Sequence, residues 1–208
     1  MAAMIPSDNT LFATPGEARV YAFLRDVFKP DQEGLVWYSP YIEGREPDFM
    51  LFDPNLGLIV FEVKDWVVSQ IKAADAHWIT FAGGGERKTN PLKQARQYTF
   101  ALMKLFRLRG RELLSADPFY QGQLKVPIQA GLIFTNILRE EFRASGLKAV
   151  LPEGLIFFSD DLHPSSRFHL DHSGRLFRQT LSTMFPPPFP CALDRRDRET
   201  FPPLSLRQ

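Results

Sequence analysis

The stretch PDFMLFDPNLGLIVFEVKDW, residues 47–66, contains two apolar segments joined by the turn-forming residues DPNLG. Apolar and β-branched segments on either side of such a turn predict a β-hairpin. Three charged residues interrupt the apolar pattern: Asp48, Glu62 and Lys64. Charges on the buried part of a hairpin require a reason, and they are either solvated or hold a metal ion.

The turn suggests a register for the hairpin. If Asp53 pairs with Gly57, the same register places Asp48 opposite Glu62. Directly opposed residues of an antiparallel pair share one face, with Cβ atoms about 5 Å apart. Lys64 points to that face as well, about 7 Å further along the strand. The register therefore predicts two facing carboxylates with an ammonium group beside them.

Two facing carboxylates repel each other unless a cation lies between them. Oxygen ligands favour Mg²⁺ or Mn²⁺ over zinc. Such a metal would polarise a phosphoryl oxygen and help to deprotonate a water, while Lys64 would orient that water or stabilise developing negative charge. The alternative is a solvated Glu–Lys face, since E-x-K also occurs by chance. The preceding Pro-Asp pair favours the metal site.

Composition limits the class of protein. The chain has 208 residues, 44% hydrophobic and 24% charged, which suits one globular domain with a full core. A formal net charge of +1 means that nucleic-acid binding would need a local patch. The single cysteine, Cys191, excludes an internal disulfide and favours a reducing compartment. With neither a secretory signal nor an apolar run of membrane-spanning length, we expect a cytoplasmic protein without membrane contact.

The rest of the chain predicts alternating helices and strands. A helix begins after Thr14, where Glu17 completes a capping-box pattern, and a long helix begins after Asn90. Further segments have the composition of strands or of a last helix: strands at 34–42, 47–53, 57–64, 77–81, 128–136 and 154–159, and a helix at 174–185. This order predicts a mixed α/β domain.

The long helix carries two features that suit a nucleic-acid site. Gln94 and Tyr98 are four residues apart, so they share one face, and both can form hydrogen bonds. No acidic residue occurs between Arg87 and Arg111. The basic residues of this segment are Arg87, Lys88, Lys93, Arg96, Lys104, Arg107, Arg109 and Arg111. They suit phosphate contacts, although a solvated helix face also shows such a pattern. Alternatively, Gln94 is exposed and Tyr98 belongs to the core.

In chain order, the segments PGE, EGREPDFMLF, GLIVFEVKDW, HW, NPLKQARQY and GLIFTN resemble the nuclease-related domain (NERD) family of the PD-(D/E)XK nuclease superfamily. The resemblance covers most of residues 14 to about 160. It implies an α/β, restriction-endonuclease-like fold, with a central mixed β-sheet flanked by helices in a single domain. It also implies hydrolysis of DNA phosphodiester bonds with Mg²⁺ or Mn²⁺, in DNA processing or repair.

The resemblance assigns roles to individual residues. It implies that Asp48 and Glu62 are metal ligands and that Lys64 is the catalytic lysine. Gln94 and Tyr98 match a Q-x-x-x-Y element that helps to position DNA and the active site. Candidate nucleic-acid contacts are four basic residues of the long helix: Lys93, Arg96, Lys104 and Arg107.

Two further positions are candidate metal-binding residues by the same resemblance: Glu17 and Val63. Glu17 matches a first-helix glutamate that often completes such sites, although its place in a capping box explains it equally well. Asp65 is an additional acid next to Lys64. An acid there could perturb Lys64, although neighbouring strand residues face opposite ways.

Domain organisation follows from composition and from the resemblance. We expect an N-terminal extension at 1–13, the nuclease-like domain at 14–185, and a proline-rich linker or tail at 186–208 that leads to a missing C-terminal region. Related domains are often joined to helicase-like regions, so the expected partners are DNA and a fused or separate helicase-like domain. The alternative to a nuclease is a non-catalytic module of the same fold that binds nucleic acid or a partner and serves an attached enzyme.

Overall fold

A computed structural model describes residues 3–6, 11–29, 34–109, 113–193 and 205–206 of the chain. The strands are β1 (Ala3–Ile5), β2 (Leu35–Tyr38), β3 (Pro40–Tyr41), β4 (Phe49–Asp53), β5 (Gly57–Lys64), β6 (Ile71–Ala74), β7 (Trp78–Phe81), β8 (Arg87–Thr89), β9 (Ile128–Phe134), β10 (Ile156–Phe157) and β11 (Ser205–Leu206). The α-helices are α1 (Pro15–Val27), α2 (Pro91–Arg109), α3 (Arg139–Ala144), α4 (Arg167–Leu170) and α5 (Arg175–Met184). Short 3-10 turns occupy Val68–Gln70, Leu147–Ala149 and Glu153–Leu155.

The predicted hairpin lies at the centre of a six-stranded mixed sheet with the strand order β1-β2-β4-β5-β9-β10. β4 is antiparallel to β2 and β5, whereas β9 is parallel to β5 and β10. At the turn, Asp53 accepts a hydrogen bond from the Asn55 N–H at 2.8 Å, and Gly57 adopts a φ of +83°. A Cβ atom at Gly57 would lie 2.3 Å from the carbonyl oxygen of Pro127, so only glycine fits there.

Helices cover both faces of this sheet because successive strand residues alternate between the faces. One face packs under α1, α4 and α5 through apolar strand residues that include Leu51, Ile59 and Phe61. The other packs under α2 through a second set that includes Met50 and Val60. This sheet flanked by helices confirms the predicted fold class.

The two principal helices begin where their caps predict. The Thr14 hydroxyl accepts a hydrogen bond from the Glu17 N–H at 3.2 Å, with Pro15 in the first turn of α1. The Asn90 side chain accepts from the Leu92 N–H at 3.0 Å at the start of α2. Gly110, the predicted stop of the long helix, lies outside the described residues.

The strand predicted at residues 77–81 exists as β7, but it does not extend the central sheet. It pairs with β6 and β8 in a separate three-stranded antiparallel sheet, inserted between β5 and α2. The strand predicted at 154–159 is reduced to the two residues of β10.

The first residues of the proline-rich segment lie along the domain. The Ala192 N–H donates to the Lys125 carbonyl at 2.8 Å, and Leu193 is buried against the α2 side of the core. An extended chain can pack through single apolar side chains without forming a helix or a strand. The two predicted boundaries, at residues 13/14 and 185/186, both stay predictions.

Candidate active site

β4 and β5 pair in the register that the turn predicted, with Phe49 opposite Phe61. Asp48 immediately precedes β4, and its carbonyl oxygen accepts the Ser39 N–H at 2.9 Å, which continues the ladder to β2. One further step along the register places Asp48 across from Glu62. The hairpin therefore brings the two predicted carboxylates together at one edge of the central sheet.

Glu62 is 1% exposed, and its two carboxylate oxygens have different surroundings. Oε1 lies 2.5 Å from the Lys64 ammonium nitrogen. Oε2 is buried and has no hydrogen-bond partner within the described part of the chain. A buried polar atom without a partner costs about 1–3 kcal/mol, so this oxygen marks a place where a ligand would be stabilising.

Asp48 is half-buried and is held by the backbone of the neighbouring strand. Its Oδ2 accepts a hydrogen bond from the Val63 N–H at 2.6 Å. The Val63 side chain is buried among the apolar residues on the α1 side of the sheet. Val63 thus orients the Asp48 carboxylate through its backbone, and its direct contact with a metal remains a prediction.

Both carboxyl groups hold a proton more tightly than they would in water. Burial and, to a lesser extent, the Asp48 carboxylate raise the pKa of Glu62, Lys64 opposes the change, and the resulting pKa is about 7. Burial also raises the pKa of Asp48 to about 6, against the lowering effects of Lys64 and the Val63 N–H. One ammonium group does not compensate for two adjacent carboxylates in a low-dielectric site. Additional positive charge would stabilise the ionised pair.

The donor chemistry of this pair fits a hard divalent cation. Among the described residues, no group of three or more His, Cys, Asp or Glu side chains is arranged to hold a metal ion. Mg²⁺ often binds proteins through only one or two carboxylates and keeps several waters. Asp48 and the unpartnered Oε2 of Glu62 supply oxygens of that kind.

Glu17 is near the pair, but its carboxylate is engaged elsewhere. Its Oε2 accepts hydrogen bonds from the Tyr38 hydroxyl at 2.6 Å and from the Ala13 N–H at 3.3 Å. Its negative charge raises the pKa of both Asp48 and Glu62. In this arrangement Glu17 caps α1 and acts on the site through its charge, while its role as a ligand stays a prediction.

Gln94 and Tyr98 meet on the face of α2 that covers the sheet. The Gln94 side-chain amide donates to the Tyr98 hydroxyl at 2.9 Å. Burial raises the pKa of Tyr98, the Gln94 hydrogen bond lowers it, and the charges of Glu62 and Asp48 raise it further. The Tyr98 hydroxyl is therefore close enough to the two carboxylates to be affected by their charge, and the role of the Q-x-x-x-Y pair in positioning DNA remains a prediction.

Asp65 has a structural position that the sequence did not reveal. Its carboxylate accepts the Gly16 N–H at 3.0 Å and a short hydrogen bond from the Thr135 hydroxyl. A Cβ atom at position 16 would lie 1.5 Å from Asp65 Oδ1, so the glycine of the PGE segment makes room for this contact. The Asn136 side chain also donates to the Asp65 carbonyl at 2.8 Å. Asp65, which follows Lys64 at the end of β5, thus connects this strand to α1 and to the end of β9.

The predicted nucleic-acid contacts lie on the solvent side of α2. Lys93 is half-buried, whereas Arg96, Lys104 and Arg107 are exposed. Arg111 and the side chain of Arg109 lie outside the described residues. The helix therefore presents several cations to solvent, and their binding role stays a prediction.

A mixed sheet with Asp, Glu and Lys gathered at the edge of its central hairpin is the arrangement of a nuclease-like α/β domain. A family model described as the nuclease-related domain, NERD, matches residues 13–135, more than half of the chain. The chain therefore belongs to the nuclease-related domain family. No curated protein and no solved structure matches it. Within the described residues, no helix is long and apolar enough to cross a membrane.

Proposed function

We propose that this domain is a nuclease that hydrolyses DNA phosphodiester bonds with Mg²⁺ or Mn²⁺, in DNA processing or repair. The observation that carries the proposal is the buried Oε2 of Glu62, which has no partner among the described residues and lies beside Asp48 and Lys64. A purely structural ion pair would have no second carboxylate facing it, and both oxygens of its buried carboxylate would have hydrogen-bond partners.

Asp48 and Glu62 are the residues that would hold the cation. When bound, the cation supplies positive charge that polarises a phosphoryl oxygen and lowers the pKa of a water. The Val63 N–H keeps the Asp48 carboxylate in one orientation through its 2.6 Å hydrogen bond. Asp65 and Thr135 hold the backbone that follows Lys64, and the Lys64 ammonium nitrogen lies 2.5 Å from Glu62 Oε1. Val63 and Glu17 are further proposed contributors to the metal site.

Lys64 supplies a second positive charge on the same face of the sheet as Glu62. Its ammonium group can contact a nonbridging phosphate oxygen, where negative charge develops during hydrolysis. The paired Gln94 and Tyr98 offer an amide and a hydroxyl for orienting the phosphodiester. Exposed cations of α2, namely Arg96, Lys104 and Arg107, together with Lys93, would contact neighbouring phosphates.

The test is cleavage of labelled DNA, linear and circular, single- and double-stranded, with Mg²⁺, with Mn²⁺ and with EDTA. Wild-type protein is expected to cleave only with metal. The cleavage rate of Glu62→Gln should be lower by on the order of 100- to 1,000-fold. Glu140→Gln, which changes an exposed acid on α3, serves as the matched control and should cleave like wild type. Cleavage by Glu62→Gln at the wild-type rate would refute the proposal.

A second candidate is a non-catalytic module that binds nucleic acid or a partner, such as an attached helicase-like enzyme. The exposed basic face of α2 favours it, because that face suits phosphate binding whether or not the carboxylates act. This candidate predicts binding without metal-dependent cleavage, weakened by Arg96→Ala and Arg107→Ala and by added salt.

A further inference from the structure

An exposed aromatic side chain of the small sheet β6–β8 lies beside two cations. Trp78 of β7 is 39% exposed, although tryptophan is usually more deeply buried. The Arg87 guanidinium carbon lies 5.1 Å from the centroid of its ring, and the Lys93 ammonium nitrogen lies 5.9 Å from it. Lys93 also contacts His77 at 3.2 Å, which holds its ammonium group beside the ring. We call Trp78, Arg87, Lys93 and His77 the Trp78 patch.

The acidic groups near the patch leave a positive balance. Asp75 pairs with Arg87 at 3.9 Å, in an exposed ion pair that is weak in water. Asp75 Oδ1 also accepts the backbone N–H groups of His77 and Trp78, at 2.7 and 2.8 Å. Glu86 pairs with Lys88 at 3.5 Å, again at the surface. Lys93 adds positive charge beside the indole, next to a histidine rather than an acid.

The Trp78 patch has a fixed position relative to the carboxylate site. Phe81, at the end of β7, packs edge-on against Trp66, with ring centroids 5.0 Å apart. The Lys64 ammonium nitrogen lies 5.7 Å from the centroid of the same Trp66 ring. One aromatic contact therefore connects the small sheet to the residue proposed to act on the phosphodiester.

A second connection runs through the start of α2. The Asn90 N–H donates to the His77 carbonyl at 2.9 Å, and its side-chain amide donates to the Asp75 carbonyl at 3.0 Å. Asn90 is also the cap of α2, the helix that carries Lys93 and, one residue later, Gln94. The cap therefore links the patch to the Q-x-x-x-Y pair.

We propose that the Trp78 patch binds a single-stranded DNA segment and guides it to the carboxylate site, with a base stacked on Trp78 and flanking phosphates on Arg87 and Lys93. Exposed aromatic rings beside cations bind single strands because unpaired bases offer their faces for stacking. In a duplex those faces are covered by neighbouring bases, so the indole selects single-stranded segments. This proposal rests on the proposed function and names its substrate class.

The test measures binding separately from cleavage. Anisotropy of a labelled oligothymidine and of a duplex of equal length is recorded in EDTA for wild type and for Trp78→Ala. Loss of one stacked base is expected to weaken single-strand binding about 5- to 100-fold and to leave duplex binding nearly unchanged. Trp78→Phe, which keeps a ring, should recover most of the affinity, and this excludes simple unfolding. Phe119→Ala removes an aromatic side chain that is 90% exposed elsewhere and should bind like wild type.

The same proteins are then assayed for cleavage with Mn²⁺, so that the two proposals can fail separately. Trp78-dependent single-strand binding without cleavage would support the patch and refute the nuclease assignment. Metal-dependent cleavage with equal single-strand affinity in wild type and Trp78→Ala would refute the patch alone. Equal weakening of single-strand and duplex binding in Trp78→Ala would also overturn the patch, because it would show no selection by stacking.

Discussion

Asp53 and Glu62 are 2% and 1% exposed, and they lie towards opposite ends of the β4–β5 hairpin. Asp53 has a partner for each oxygen: the Asn55 N–H for Oδ1 and the Arg178 guanidinium for Oδ2. Arg178 in turn donates to the Lys29 carbonyl at 2.6 Å. Glu62 has Lys64 on one oxygen, an opposed carboxylate nearby, and no partner for the other oxygen among the described residues.

Asp53 therefore stabilises the fold, whereas Glu62 destabilises it as long as no cation is bound. A buried charge is tolerated when its hydrogen bonds are complete, and it is costly when they are not. At the turn end of the hairpin, groups of the chain itself supply all the partners of Asp53. At the other end, Glu62 needs an additional positive charge to complete its interactions. We expect substitution at the Asp53 end to lower the free energy of unfolding and substitution of Glu62 to raise it.

The largest expected effect on stability is at the satisfied end. Arg178→Ala leaves Asp53 buried without its main partner, so unfolding free energy should fall by about 3–5 kcal/mol. Urea denaturation monitored by circular dichroism measures this change. Arg175→Ala, on the exposed side of the same helix, should change stability by less than about 0.5 kcal/mol. Equal effects of the two substitutions would remove the contrast between the two acids.

The next effect is on catalysis at the unsatisfied end. Lys64→Met keeps the length of the side chain but removes its charge, and the cleavage rate should fall about 100- to 1,000-fold. Single-turnover cleavage with Mn²⁺ measures the chemical step. Lys72→Met, which removes an exposed charge on β6, is the control and should stay within about twofold of wild type. A Lys64→Met rate near that of the control would show that the ammonium group takes no part.

The smallest effect is a gain in stability. Burial raises the pKa of Glu62 from 4.5 to about 7, so its carboxyl binds a proton more tightly in the folded chain than in the unfolded chain. The stabilisation that proton binding to Glu62 gives the folded chain is therefore full below about pH 4.5 and is lost as the pH rises through about 7. At pH 8, without metal, Glu62→Gln should be more stable than wild type, by on the order of 1–3 kcal/mol.

The matched substitution at the other end sharpens this result. Asp53→Asn removes half of a completed ion pair and should destabilise the domain at the same pH. Denaturant midpoints measured from pH 5 to pH 8 test both variants together. If Glu62→Gln destabilised the domain at pH 8 as Asp53→Asn does, Glu62 would be a structural acid.

Much of this contrast could be read from the sequence because a hairpin is local. The turn DPNLG sets the register, and the register brings Asp48 and Glu62 together over a short loop. The caps of α1 and α2 and the four-residue spacing of Gln94 and Tyr98 are also local, and the structure contains all three contacts. Short-range patterns of this kind predict the elements and one face of the site.

The contacts that the sequence did not reveal join distant segments. Asp65 binds residues 49 positions earlier and 70 positions later, and no spacing rule links them. The separation of β6–β8 from the central sheet likewise depends on which edge is already taken, since β9 occupies the free edge of β5. The hydrogen bond from Tyr38 to Glu17 joins β2 to α1 across 21 positions of sequence, so it could not be predicted from spacing either.

The most direct test of the cation site is thermal unfolding at pH 8 as a function of Mn²⁺ concentration, for wild type and Glu62→Gln. A cation that binds only the folded chain stabilises it by about 2.7 kcal/mol at 100 times its Kd. We expect the unfolding midpoint of wild type to rise steadily with Mn²⁺, while the midpoint of Glu62→Gln starts higher and stays nearly constant. Equal responses of the two proteins, or no response of wild type, would contradict it.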